Sequence, residues 1–292
     1  MVGRGAILIA GPTASGKSAE ALRLAHELDG MIVNADSMQV YRELRILTAR
    51  PSREDEIAVR HFLYGHVGAR EWYSVARWLD DVKVALEEIE GLGKRAIIVG
   101  GTGLYFKALT EGLAPIPDIP ADVRKFWREE GRLRPPHELH EELTRRDPLS
   151  AAGIRPSDPQ RIIRALEVID STGRPLAEFQ EAPGQPLLAP GSFEGIVMLP
   201  ERATLHERAD TRFDTMIAEG ALGEVEQLQA MQLDSDLPAM RALGVAPLLS
   251  HLKGEATLED AVVRGKVMTR QYIKRQTTWL KKHMISWSGS KN

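Results

Sequence analysis

The sequence predicts an α/β fold, a parallel sheet flanked by helices and broken by a helical insertion domain. Three observations predict it. Short apolar runs, Ile7-Leu8-Ile9-Ala10, Met31-Ile32-Val33, Ala96-Ile97-Ile98-Val99 and Ile196-Val197-Met198-Leu199, have the length and unbroken hydrophobicity of strands buried on both faces. Stretches with apolar residues at helical spacing lie between them. The first run leads straight into Gly11-Pro12-Thr13-Ala14-Ser15-Gly16-Lys17-Ser18, a G-x-x-x-x-G-K-S phosphate loop, so the sheet is expected to be P-loop NTPase-like.

In such a loop the backbone N–H groups turn inward around a polyphosphate, the lysine adds a point charge, and the serine hydroxyl reaches a magnesium ion. The context agrees, because Ala21, Leu22, Leu24, Ala25 and Leu28 recur at helical spacing just after the loop. A glycine-rich turn that happens to contain lysine would not bring strand, loop and helix together. Residues 11–18 are therefore expected to bind a diphosphate or nucleotide, with Ser18 as ligand to Mg²⁺. On its own the loop suggests ATP binding, and it leaves open what carries the phosphate.

The 292 residues exceed one typical domain, which suits a single α/β core with an inserted unit. No run approaches the roughly 20 apolar residues of a membrane span, and the start lacks the apolar core of a secretory signal. A cytoplasmic protein with no membrane partner is expected. The absence of cysteine removes disulfides, thiolate zinc sites, iron–sulfur clusters and cysteine nucleophiles, leaving a metal held by oxygen. The net charge of −3 averages two unlike parts, since residues 264–292 carry eight basic side chains and no acid. That asymmetry suits a polyanionic partner, although a merely solvated basic helix fits the charge equally well.

The elements follow in order. Asn34-Ala35-Asp36-Ser37-Met38-Gln39 leaves the carboxyl end of the second strand, where ligands sit in open α/β sheets, so Asp36 is expected near the phosphate loop. The alternative is that Asp36 or Ser37 caps a short helix. Residues 41–51 read as a short helix followed by an extended turn at Thr48-Ala49-Arg50-Pro51, with Arg50 and Arg53 either substrate-facing or solvated. Ser74 is a candidate N-cap for a helix through Val75, Leu79, Val82, Leu86 and Ile89 that ends near Gly91-Leu92-Gly93. The third strand closes at Gly100-Gly101-Thr102-Gly103, where Thr102 either caps the helix of Leu104-Tyr105-Phe106 or faces a ligand.

Three prolines between Leu113 and Pro120 mark a boundary. Arginine-rich helical stretches follow at 122–131, 137–145 and 158–171, and a second strip, Pro183 to Gly191, leads into the last strand. The expected division is a core of residues 1–118 and 187–292 with a helical insertion of 119–186. In the helix from Asp158, residues Ile162, Ile163, Leu166 and Ile169 can face a core, leaving Gln160, Arg161 and Arg164 for phosphate contacts or for solubility. Arg208 and Arg212 share one face of the helix over 203–216, where one of them either closes over a diphosphate or pairs with Glu207 or Asp214. In the final helix from Thr257, Lys266, Arg270 and Lys274 form a basic stripe, and Met268, Tyr272, Arg275 and Trp279 read as a packing face.

Taken together, residues 11–18, Asn34 to Tyr41, Gly100 to Tyr105, Asp158 to Glu167 and Lys274-Arg275-Gln276-Thr277-Thr278-Trp279 closely resemble the bacterial tRNA dimethylallyltransferases, also called tRNA isopentenyltransferases. The match runs in order through nearly the whole chain. The phosphate loop is generic, whereas the Asp36 and Gln160 blocks are specific to that family. Two departures are Val245, where many relatives have tyrosine, and Tyr64-Gly65-His66-Val67-Gly68, where many have an acidic stretch. The resemblance implies transfer of a dimethylallyl group from dimethylallyl diphosphate to N6 of the adenosine just 3′ of the anticodon. The loop would then hold the diphosphate of an isoprenoid.

By the same resemblance Asp36 would take the N6 proton, with Lys17, Thr13 and Arg212 on the leaving group and Mg²⁺ on Ser18. The tRNA anticodon stem-loop would meet Asp36, Ser37, Met38, Gln39, Thr102, Arg124, Gln160, Arg161, Ile162, Ile163, Arg164, Lys274, Arg275 and Gln276, and the enzyme would be a monomer. The rival readings are a small-molecule kinase using ATP with the insertion as lid, a prenyltransferase acting on free adenine nucleotides, and a non-catalytic RNA-binding module.

Overall fold

The computed structural model describes residues 5–182, 184–284 and 286–287; Pro183 and Lys291, both used above, lie outside the described residues. The chain divides into two compact units, one of residues 1–110 and 187–292 and the other Glu111–Pro186.

The first unit is built on five parallel strands, β1 (Ala6–Ala10), β2 (Gly30–Asn34), β3 (His61–Phe62), β4 (Arg95–Gly100) and β5 (Phe193–Val197), in the order β3-β2-β4-β1-β5. Its first helices are α1 (Lys17–Leu28), α2 (Arg53–Ala58), α3 (Val75–Gly91) and α4 (Gly103–Glu111). The second unit holds α5 (Ala121–Leu133), α6 (Pro136–Arg146), α7 (Pro148–Gly153), α8 (Pro159–Thr172) and α9 (Leu176–Glu181). After β5 come α10 (Arg202–Ala218), α11 (Ala221–Ala230), α12 (Val245–Leu252) and α13 (Leu258–His283).

Successive residues of a strand face opposite sides, so each apolar run serves two cores. Leu8, Ala10, Val33 and Ile98 pack with Trp78 and Phe106 on one face, while Ile7, Ile9, Ile32 and Ile97 pack on Ala21 and Ala25 of α1 on the other. In register, Ala10 lies beside both Gly100 and Val197, and Asn34 beside Val99. The loops leaving β1, β2 and β4 therefore emerge level with one another at one end of the sheet.

Two local expectations fail. The strand β5 starts at Phe193 and stops at Val197, three residues earlier than the apolar run suggested at its start. Residues 41–47 form turns instead of the expected short helix, whereas the turn expected from Thr48 is present. The reason lies far along the chain: the Glu224 carboxylate of α11 accepts the N–H groups of Arg45, Ile46 and Leu47 at 2.8, 2.6 and 3.0 Å. The Gln39 amide meanwhile donates to the carbonyls of Thr48 and Ala49 at 2.9 and 2.8 Å. Backbone groups that a helix would satisfy internally are thus satisfied by two side chains. Glu224→Ala should cost about 2–4 kcal/mol in urea denaturation, since three donors lose one charged acceptor, and Glu224→Gln should cost less. A loss under about 0.5 kcal/mol for alanine would contradict this account of the turn.

In the second unit Trp127, Leu139, Leu143, Ile162, Leu166 and Phe179 form the core. Ile116 and Ile119 of the proline-rich strip pack on it, so this unit starts at Glu111, ahead of the expected 119. Trp127 donates its ring N–H to Asp170 at 3.1 Å, and Arg146 lies over its ring. No helix among the described residues is long and apolar enough to cross a membrane.

Candidate active site

The phosphate loop begins where β1 ends. Gly16, at φ 88°, occupies the left-handed conformation that starts α1, and Ala14 is also left-handed at φ 65°. That conformation costs a non-glycine residue roughly 1–2 kcal/mol, and the surrounding sheet and helix hold it. The loop closes on itself through Ser15 N–H to the Pro12 carbonyl at 3.2 Å, leaving the first turn of α1 to present its amides and positive dipole end to an anion.

The Lys17 ammonium donates to the Pro12 carbonyl at 3.3 Å. Burial pulls it down to about 8; the charge of Asp36 offsets part of that, and Arg212 adds to it. An arriving diphosphate favours the charged ammonium and so raises its pKa above the free value. Affinity for inorganic diphosphate should therefore be complete below pH 8 and weaken as pH rises past it, by up to about tenfold per unit. Calorimetric titration between pH 7 and 9 reads this slope, and a flat profile would mean that Lys17 is not the group engaged.

Asp36 is placed by the end of β2. Asn34, fully buried, accepts Asp36 N–H at 2.8 Å and donates to the carbonyls of Asp36 and Leu63 at 2.9 and 3.0 Å. One carboxylate oxygen of Asp36 accepts Met38 N–H at 2.9 Å, a local turn and not a helix cap. The other faces Gly101, where an added Cβ would lie 3.5 Å away. At Gly100 a Cβ would fall inside the Ala35 carbonyl, so only glycine lets the β2 and β4 loops meet this closely. Thr102 accepts Ser37 N–H at 3.0 Å and donates to the Ser37 hydroxyl at 3.3 Å, which spends the group expected to cap α4.

Asp36 and Thr13 line one cavity of about 250 Å³. Ser37, Arg212, Arg241, Tyr272 and Arg275 are on its polar side, and Met38, Leu47, Phe213, Met216 and Leu243 on its apolar side. Burial, with the nearby Asp36 charge, pushes the Tyr272 phenol above its ordinary value, so it stays a neutral donor. A second hollow of about 260 Å³ lies over Ala14 to Ala19 with Arg208 and Arg212. Arg212 alone of the two arginines lines both. Its expected alternative partner Asp214 pairs instead with Lys266 at 2.6 Å. Burial lowers the Arg212 pKa, and Asp36 draws it back up.

Other expected residues are placed differently. Gln276 is 6% exposed and faces the loop, accepting Thr13 N–H and donating to the Gly101 carbonyl, both at 2.9 Å, which leaves it little surface for RNA. Ile162 is completely buried in the helical core, and Ile163 is half-buried against Gly131, because their helix face packs inward. The Gln39 amide is spent on residues 48–49, as described. Gln160 and Arg161 are exposed, with Arg161 3.4 Å from Asp158; Arg164 lies 3.4 Å from Glu167, and Arg124 donates to the Ile119 carbonyl. The basic stripe is shortened, since Arg270 pairs with Asp210 at 2.6 Å as Lys266 does with Asp214, leaving Lys274 exposed. Tyr272, expected to pack in a core, instead lines the cavity; the buried seam of α13 runs through Ala261, Gly265, Thr269, Ile273, Gln276 and Leu280.

Ser18 is exposed on the first turn of α1 within the hollow over the loop. Among the described residues no group of three or more His, Asp or Glu side chains could hold a metal. This donor set suits Mg²⁺, which takes one or two protein oxygens and completes its shell with phosphate oxygens and water.

The fold and this site define a phosphate-loop α/β protein whose anion cradle shares Arg212 with a neighbouring cavity carrying one carboxylate and one apolar wall. The family model described as IPP transferase matches residues 39–283, and that described as isopentenyl transferase matches residues 4–67. A tRNA dimethylallyltransferase of Parvibaculum lavamentivorans is 54% identical over 288 residues, 99% of this chain and 91% of that protein. The crystal structure of the tRNA isopentenylpyrophosphate transferase from Bacillus halodurans is 33% identical, covers 96% of this chain and 88% of its own, and has a TM-score of 0.67. A eukaryotic dimethylallyltransferase captured acting on tRNA is 30% identical over 96% of this chain and 70% of its own, with a TM-score of 0.78. The chain belongs to the tRNA dimethylallyltransferase family.

Proposed function

We propose that this prenyltransferase moves the dimethylallyl group of dimethylallyl diphosphate to N6 of the adenosine next to the anticodon on its 3′ side, acting as a cytoplasmic monomer on the anticodon stem-loop of tRNA. The observation that carries the reading is the shared cavity: Asp36 stands in it with an apolar wall, and Thr13 and Arg212 link it to the phosphate loop. An apolar wall beside a carboxylate suits a dimethylallyl group and an amine acceptor, and the relatives named above are tRNA dimethylallyltransferases.

In the proposed reaction the N6 lone pair attacks the allylic carbon, a carbon–nitrogen bond forms, and the carbon–oxygen bond to diphosphate breaks with its electrons leaving on oxygen. Lys17, the loop amides and Arg212 offset the charge growing on that oxygen, and Thr13 orients it. Ser18 would hold Mg²⁺, whose charge would neutralise part of the diphosphate. Asp36 takes the N6 proton, which becomes acidic only as the bond forms. Met38, Leu47 and Phe213 bury the dimethylallyl tail and keep water from the allylic carbon.

An anticodon-loop base must leave its stack to enter such a cavity. Ser37, Thr102 and Arg275 stand at that side, and Arg124, Gln160, Arg161, Arg164 and Lys274 are assigned to flanking phosphates and bases. Supplying the enzyme and a stem-loop RNA with either dimethylallyl diphosphate or ATP tests the reading. RNA-dependent release of diphosphate from the first and no ADP from the second is the expected result; ADP formation without the isoprenoid would favour the kinase.

A further inference from the structure

Gln276 sits on the buried seam of α13, yet it is polar, and both ends of its amide are used. Its oxygen accepts Thr13 N–H, 263 positions earlier, and its nitrogen donates to the Gly101 carbonyl, 175 positions earlier. One side chain thus joins the phosphate loop, the loop after β4 and the last helix. Thr13 lines the cavity on the diphosphate side. Gly101 is followed by Thr102, which holds Ser37, and the free oxygen of Asp36 faces Gly101. The two loops that must hold the leaving group and the proton acceptor therefore share a single brace.

We propose that Gln276 is a positioning residue that fixes the mouth of the phosphate loop against the Asp36 side of the cavity, and that it acts on the isoprenoid diphosphate and not on RNA. The proposal rests on the prenyl-transfer reading above. An amide is required because the two partners are a donor and an acceptor. A carboxylate still accepts from Thr13 but turns a second oxygen on the Gly101 carbonyl, and an aliphatic side chain leaves both partners unpaired in a buried place. Asparagine keeps both groups on a stem one carbon too short to reach both.

Q276E, Q276L and Q276N test the assignment through four readouts: affinity for dimethylallyl diphosphate without RNA, affinity for a stem-loop RNA, kcat against KM for the donor, and melting temperature. In each variant the expected result is a donor Kd raised about tenfold and a kcat lowered about tenfold at saturating donor, with RNA affinity within about twofold of wild type. Q276N, which keeps the amide, keeps the test available if the other two changes melt the protein. RNA affinity that falls while donor affinity stays would assign Gln276 to RNA and overturn the proposal. So would wild-type kinetics, or a lowered melting temperature with unchanged donor affinity and kcat. Failure of the wild-type enzyme itself to bind dimethylallyl diphosphate would instead refute the reading beneath it.

Discussion

Asp36→Asn should lower the turnover of prenyl transfer about 10²- to 10⁴-fold, the range over which a positioned base acts, while stem-loop RNA binds within about threefold of wild type. Asparagine is a sharper change than alanine. One Asp36 oxygen accepts Met38 N–H, and the asparagine carbonyl can keep that bond, so the turn presenting Ser37 and Met38 survives while the proton acceptor is lost. A second effect has to be separated. Asp36 holds the Lys17 pKa up against burial and against Arg212, so removing its charge lets Lys17 fall further below about 8. Turnover at saturating donor, compared between about pH 6 and pH 8, separates the two, because a deficit from Lys17 shrinks as pH falls and the loss of the base does not. Near-normal turnover under those conditions would remove Asp36 from the chemistry.

Lys17→Ala should reduce kcat/KM for dimethylallyl diphosphate about 10²- to 10³-fold, comparable to loss of one donor aimed at a developing oxyanion. The lysine is the only charged side chain within the phosphate loop itself, and its ammonium is held by a single 3.3 Å bond to the Pro12 carbonyl, which a diphosphate easily replaces. The variant should also lose the weakening of donor affinity above pH 8, because the titrating group is gone. Stem-loop affinity measured without donor should stay within about twofold, as Lys17 faces the loop and not the Arg275 side of the cavity. A pH break that persists in Lys17→Ala would assign it to another group.

Much of the fold was legible because buried parallel strands write themselves as apolar runs. β1, β2 and β4 are such runs, and the spacing of residues 11–18 leaves little choice for the loop between β1 and α1. β3 was not legible, since two residues carry no periodicity. Residues 41–47 were misread because their conformation depends on Glu224, and no local pattern reports a partner so distant.

The candidate site divides the same way. Asp36 is found by the rule that ligands gather at the carboxyl ends of strands. The apolar wall is not, because Leu47, Phe213 and Leu243 come from three separate segments. The face of α13 was assigned by hydrophobicity, which favours Tyr272 and Trp279 for burial. Gln276 occupies the seam instead because two backbone partners there make a buried amide worth more than an apolar side chain. A signal existed in the polar Thr269 and Gln276 lying seven positions apart on the face of Gly265 and Ile273.

If the phosphate loop serves an isoprenoid donor facing an RNA base, a single labelling experiment separates that reaction from its rivals. The enzyme is incubated with labelled dimethylallyl diphosphate and an anticodon stem-loop carrying adenosine at the target position, beside a control with guanosine there. Label is expected in the adenosine RNA alone, recovered after digestion as N6-dimethylallyladenosine. Label in both RNAs, or in neither, would contradict it.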